Sequence, residues 1–174
     1  RPVMDSDAQR KQQPYYYKTG CLEPVKNMII ADIMNYFDQF DNVIIAGSFL
    51  ERGFDFSDID VLLIDGIKTD VSRFESRFER ELGVKLHVIA IDPKSLIRGL
   101  GTDPLFQAML CKFVSKKRVI FRVKRKIDYK LLDLQLLESK ALIGNFNYLS
   151  GREKYKMTRN LIDIKLFIEN RKIS

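Results

Sequence analysis

Two aspartates separated by one residue, Asp58 and Asp60, are the side chains in this sequence whose type and spacing best suit them to chemistry. They begin a stretch, Asp58–Ile64, whose apolar end Val61-Leu62-Leu63-Ile64 predicts a buried strand. Side chains alternate along a strand, so both carboxylates fall on one face and Ile59 on the other. Two such groups side by side repel unless a cation lies between them, and hard oxygen donors this close suit Mg²⁺, an ion usually shared with substrate phosphates. Upstream, Gly47-Ser48 ends a second apolar run, Val43-Ile44-Ile45-Ala46. A tight turn between a strand and a helix start presents backbone N–H groups to one point, where a phosphate is favoured. The plainer alternative is a surface Asp-x-Asp that caps a turn.

Gly47-Ser48, Arg52-Gly53 and Ser57-Asp58-Ile59-Asp60 together resemble the signature of the DNA polymerase beta nucleotidyltransferase superfamily. The similarity is greatest to minimal prokaryotic nucleotidyltransferases, especially archaeal forms fused to a winged-helix module. It covers residues 43–64 tightly, and the following helix, strand and Asp103-Pro104-Leu105 more loosely. The resemblance implies that Gly47 and Ser48 hold a nucleoside triphosphate, that Asp58 and Asp60 hold Mg²⁺ or Mn²⁺, and that Arg52 touches phosphate or pairs with an acid. The reaction it implies is in-line attack of an acceptor hydroxyl on the alpha phosphate with release of pyrophosphate, two metals stabilising the attacking and leaving oxygens.

Active members of that superfamily carry a third carboxylate on the next core strand. Here the aligned position in Lys85–Asp92 is His87, the only histidine of the chain. Asp92 does not replace it, because alternation sends Asp92 to the face opposite His87 unless the strand bulges. His87 therefore reads as a neutral metal ligand, a base, or a packed polar residue. The two functional readings are a magnesium-dependent transferase and a nucleotidyltransferase fold without turnover, acting as a nucleic-acid-binding regulator or the partner of a toxin.

The elements that must position these groups follow from periodicity and punctuation. A helix opens at Glu23-Pro24 with a core stripe of Val25, Met28, Ile29, Ile33, Phe37 and Phe40. Strands are expected at Val43–Ala46, Asp58–Ile64, Val84–Ile91 and Val119–Val123. Helices are expected at Asp70–Leu82 before Gly83, near Lys94–Leu100, at Asp103–Val114, at Tyr129–Leu142, and at Ser150–Arg171 behind a Ser150…Glu153 capping box. The predicted fold is α/β (α+β): a small mixed sheet of about four strands with helices packed on one side and C-terminal helices added. The expected organisation is an arm over 1–20, a nucleotidyltransferase-like domain over 21–126 and a basic helical extension over 127–174.

Charge divides unevenly along the 174 residues. Positions 1–90 hold 11 Lys and Arg against 15 Asp and Glu, and positions 91–174 hold 19 against 8. A basic half of this size attracts polyanions or simply solvates helices. Lys117, Arg118, Arg122, Lys124, Arg125 and Lys126 form the expected nucleic-acid contact, with Phe146, Tyr148 and Tyr155 available to stack on bases. Arg152, Lys154, Lys156 and Arg159 add charge along the last helix, and Tyr15, Tyr16 and Tyr17 either stack on bases or dock the arm. A protein partner is also compatible with this surface. Cys21 and Cys111 lack the spacing of a zinc or redox pair. No apolar run approaches the ~18 residues of a membrane span, and no signal-peptide pattern appears, so the expected compartment is cytoplasmic.

Overall fold

The two apolar runs pair with each other as the central strands of a mixed sheet in the computed structural model, which describes residues 16–17, 23–66 and 70–171. The sheet has four strands of three residues or more, β2 (Asn42–Ala46), β3 (Asp58–Ile64), β4 (Lys85–Ile91) and β5 (Phe113–Ser115), and a two-residue edge strand β1 (Tyr16–Tyr17). Their order is β1-β5-β2-β3-β4. Only β3 and β4 run parallel, and the other neighbours are antiparallel. Parallel neighbours need a crossover, and the helix α2 (Val71–Leu82) supplies it before Gly83 ends it in the left-handed conformation, φ 66°. The expected α/β class and mixed sheet are present.

The chain divides into two compact units, Arg1–Pro93 with Lys112–Ile120, and Lys94–Cys111 with Phe121–Ser174. The first is built on the sheet. Helix α1 (Pro24–Tyr36) and α2 cover one sheet face, burying Ile29, Ile30, Ile33, Phe37, Phe74 and Phe78 against Val43, Ile45, Ile59, Val61, Leu63 and Leu86. Tyr36 stacks on Phe74 with ring centroids 3.7 Å apart, which knits the two helices together. Alternation fixes this arrangement, because the odd-numbered residues of β3 all enter the helix-covered core. Asp58 and Asp60 consequently belong to the opposite face. The expected α1 stripe needs correction at its start: Val25 and Met28 are exposed, and the fully buried residue there is Lys26.

The second unit contains α3 (Pro93–Thr102) from Lys94 onward, α4 (Pro104–Met109), α5 (Tyr129–Asn145) and α6 (Gly151–Ile168). Asp103 joins three of its parts: one carboxylate oxygen accepts the Leu105 and Phe106 N–H groups at 2.9 and 3.1 Å and the Gln135 amide at 2.9 Å. The Ser150–Glu153 capping box forms as the sequence predicts.

Two expected elements differ. The helix anticipated over Asp103–Val114 stops at Met109, and Phe113–Ser115 is strand β5, held by pairing with β2. The strand anticipated at Val119–Val123 is an irregular segment, although Phe121 to Ile127 keeps the alternation of half-buried and exposed residues. Alternation reports which side faces inward; whether a partner strand exists depends on distant residues. Of the tyrosines Tyr15–Tyr17, the backbone of Tyr16 and Tyr17 pairs with Ser115 and Val114. Tyr15 and Cys21 lie outside the described residues.

Candidate functional site

Asp60 sits in the middle of a row that crosses the sheet. Ala46 of β2 and His87 of β4 are its neighbours in register, and residues in such a row share a face. His87 Nδ1 lies 3.0 Å from Asp60 Oδ1. With Asp60 ionised, that bond requires Nδ1 to carry the hydrogen, which leaves the acceptor lone pair on Nε2. The imidazole is 63% exposed and the carboxylate 22% exposed, so the pair is reachable from solvent.

Gly47 approaches the same carboxylate from the other side. Its φ of 85° lies in the region that favours glycine, and a Cβ there would collide with Asp60 Oδ2. The turn and the acid that the sequence singled out are therefore in direct contact. Ser48 is exposed and begins a single 3₁₀ turn, Ser48–Leu50, where the sequence points to a helix start. Asp58 is exposed at the start of β3, and the Ser57 hydroxyl donates to its Oδ1 at 3.3 Å. Its register neighbour on β4 is Lys85, on the same face and two positions from His87. Lys85 was not singled out by the sequence, and its Nζ lies 3.8 Å from Glu79. Asp92 follows β4 and is exposed.

Arg52 is exposed in the loop between the turn and β3, and that loop is clipped down by the first turn of α1. Lys26 is fully buried, donates to the Glu51 carbonyl, and lies 3.4 Å from Glu23 Oε2. Its ammonium sits 5.5 to 5.6 Å from the ring centres of Phe49, Phe54 and Phe56, an attraction between cation and ring faces. Glu23 Oε1 accepts the Gly53 N–H at 2.7 Å. That bond is the main reason the Glu23 carboxyl is held below the usual range, with its own N–H and Lys26 assisting. Periodicity could not reveal this clip, since it treats Lys26 as a solvated helix position. The only signal was the Glu23…Lys26 spacing of one helical turn.

The donor set bears on the metal implied by the resemblance. Asp58 and Asp60 offer hard oxygens on one face, which fits a Mg²⁺ completed by phosphate and water. Among the described residues no group of three His, Cys, Asp or Glu side chains could hold an ion by itself.

The basic residues separate into two roles. Lys116 and Lys117 bind Asp38 and Asp41 at 2.7 and 2.6 Å, and the Lys117 backbone is fixed by both ends of the Asn42 side-chain amide. Arg125 donates to the Arg171 carbonyl at 2.6 Å and lies over Phe167, which places a cation at the end of α6 where the helix dipole favours one. Lys117 and Arg125 are therefore engaged in holding the fold. Arg118, Arg122, Lys124 and Lys126 are exposed, the last three alternating outward in the second unit. Lys154 lies 4.5 Å from the centre of the Phe146 ring, whereas Tyr148 and Tyr155 are exposed. No helix among the described residues is long and apolar enough to cross a membrane. Comparison with protein-family models, with curated proteins and with solved structures finds no match to this chain.

Proposed function

We propose that the chain is a magnesium-dependent nucleotidyltransferase in which His87, oriented by Asp60, stands in for the third carboxylate. The observation that carries this reading is that one carboxylate, Asp60, touches both the Gly47 turn and the only imidazole. A phosphate on that turn would face the negative Asp60, and a cation between them removes the repulsion. Asp58 and Asp60 would hold that Mg²⁺, which would supply charge stabilisation at the phosphates. Gly47 and Ser48 bind the triphosphate, and Arg52 lies in the adjoining loop, near enough in sequence to contact it.

Bound to Asp60 through Nδ1, His87 presents Nε2 as the proton acceptor for an acceptor hydroxyl. The hydroxyl oxygen forms its bond to the alpha phosphorus, the bond to pyrophosphate breaks, and the proton passes to Nε2. Positioned bases of this kind contribute ~10²- to 10⁴-fold to rate. A cytoplasmic setting suits a substrate of this class.

The second reading is nucleotide binding without turnover, favoured by His87 at the position of the third carboxylate. In that case Arg122, Lys124 and Lys126 would serve a nucleic-acid-binding role. The two readings separate when the protein is incubated with Mg²⁺ or Mn²⁺ and each labelled nucleoside triphosphate. Transferase activity predicts pyrophosphate release lost in Asp58→Asn and Asp60→Asn. Saturable nucleotide binding with no release, using protein, RNA, DNA and small hydroxyl acceptors, would abandon the first reading for the second. RNA affinity that does not fall with rising salt would remove the phosphate-contact role of the basic residues.

A further inference from the structure

The carboxylate of Asp60 divides the face on which it lies. Its Oδ2 is the atom that a Cβ on Gly47 would strike, on the β2 side, whereas its Oδ1 lies 3.0 Å from His87 Nδ1, on the β4 side. Strand order puts β3 between β2 and β4, so a phosphate on the Gly47 turn and a hydroxyl at His87 Nε2 approach Asp60 from opposite flanks. Lys85 belongs to the His87 flank and is the only Lys or Arg of β4. It is the register neighbour of Asp58, as His87 is of Asp60. Alternation places all four side chains on one face, with Lys85 and His87 about 7 Å apart along the strand. Among the described residues β4 ends the strand order, so the Lys85 side chain can turn outward to Glu79 or inward over that face. The outward contact holds it weakly: Nζ lies 3.8 Å from Glu79 Oε1, the side chains are 72% and 52% exposed, and exposed pairs contribute little. The other described lysines of the sheet unit, Lys26, Lys112, Lys116 and Lys117, lie 3.4 Å or less from a carboxylate.

We infer that Lys85 selects the acceptor, whose hydroxyl belongs to a phosphate-bearing sugar: a nucleotide, free or at the end of a strand. The inference rests on the proposed reaction in taking His87 as the acceptor side. With the hydroxyl at His87 Nε2, the lysine reaches the phosphate of the same sugar and binds it as a compact charge. Turned toward Glu79, Lys85 leaves Asp58 to a cation. Turned inward, it offsets the charge that an anionic acceptor brings to a face already carrying Asp58 and Asp60. A triphosphate on the Gly47 turn lies across Asp60 from Lys85, so the lysine acts on the acceptor rather than on the donor.

The His87 imidazole, the only one in the chain, reports on this flank by NMR. With Mg²⁺ and a non-hydrolysable nucleoside triphosphate analogue present, adenosine 5′-monophosphate and the dinucleotide adenylyl-adenosine should each shift its signals with about tenfold higher affinity than adenosine does. Whichever of the two binds tighter tells a free nucleotide from a strand end. Lys85→Ala should erase the preference for phosphate, and Lys85→Arg should keep it. Glu79→Gln, which releases the lysine, should preserve it as well; a loss equal to that of Lys85→Ala would mark the pair as structural and overturn the inference. Equal binding of all three ligands to the parent, or a phosphate preference that survives in Lys85→Ala, would overturn it too. In turnover, Lys85→Ala should raise the acceptor KM about tenfold and leave the triphosphate KM within about twofold. No turnover in a parent whose phosphate preference depends on Lys85 would remove the transferase reading and leave this site standing.

Discussion

The sheet unit and the helical unit depart from ordinary burial in opposite ways. In the sheet unit the informative groups are polar ones among apolar neighbours: Asp60 in a row with Ala46, and Lys26 walled in by three phenylalanines. In the helical unit they are apolar ones among charges: Leu134 and Leu137 on a unit with fifteen Lys and Arg against seven Asp and Glu. A buried polar group costs free energy unless it is partnered, whereas an exposed leucine forgoes burial. The first kind of exception points to chemistry or to a structural clip, and the second to recognition.

Breaking the clip should have the largest effect. Lys26→Ala leaves the Glu51 carbonyl without its donor, opens a cavity between three rings and removes the cation beside Glu23. A loss of about 3 kcal/mol in urea denaturation is expected, in the range for removing one partner of a buried ion pair. A change under about 1 kcal/mol would mean that the loop is held by other contacts.

The contrast sharpens within one short segment of the helical unit. Arg125→Ala should cost about 1 kcal/mol through the lost contact with the last turn of α6 and the Phe167 ring. Lys124→Ala, one residue away and exposed, should stay within about 0.5 kcal/mol while lowering RNA affinity. Equal effects of the two on both readouts would erase the distinction between structural and recognition cations.

The smallest effect concerns Asp163, a buried acid on α6. Burial raises its carboxyl above the usual range, partly offset by Arg159. An acid whose folded pKa is raised favours the folded state at low pH and loses that contribution as pH rises through the folded value. Asp163→Asn should therefore raise the melting temperature slightly at pH 7, with the gain vanishing once the pH falls below the ordinary carboxylate range. A gain unchanged across that range would show that charge is not its source.

What the sequence revealed and what it concealed divides along the same physical line. Strand β3, the Gly83 stop and the Ser150 capping box were all legible because each is encoded within a few neighbouring residues. The Gly47 turn and the shared face of Asp58 and Asp60 were legible for the same reason. The Asp60–His87 hydrogen bond joins residues 27 apart, and it follows only once the parallel register of β3 and β4 is known. Strand β5 was read as helix because Leu105 to Val114 is a mostly apolar run broken only by Gln107 and Lys112, and only pairing with β2 decides its state. The second role of Lys117 and Arg125 was hidden likewise, since Asp41 and Arg171 meet them across 76 and 46 residues.

The central claim is that Asp60 orients the imidazole and shares its carboxylate with the phosphate turn. Because His87 is the only histidine, ¹⁵N NMR of the imidazole reports on that claim without assignment ambiguity. The neutral ring should carry its hydrogen on Nδ1, lose that preference in Asp60→Asn, and shift when Mg²⁺ and a nucleoside triphosphate are added together. A ring protonated on Nε2, indifferent both to Asp60→Asn and to nucleotide, would contradict the account.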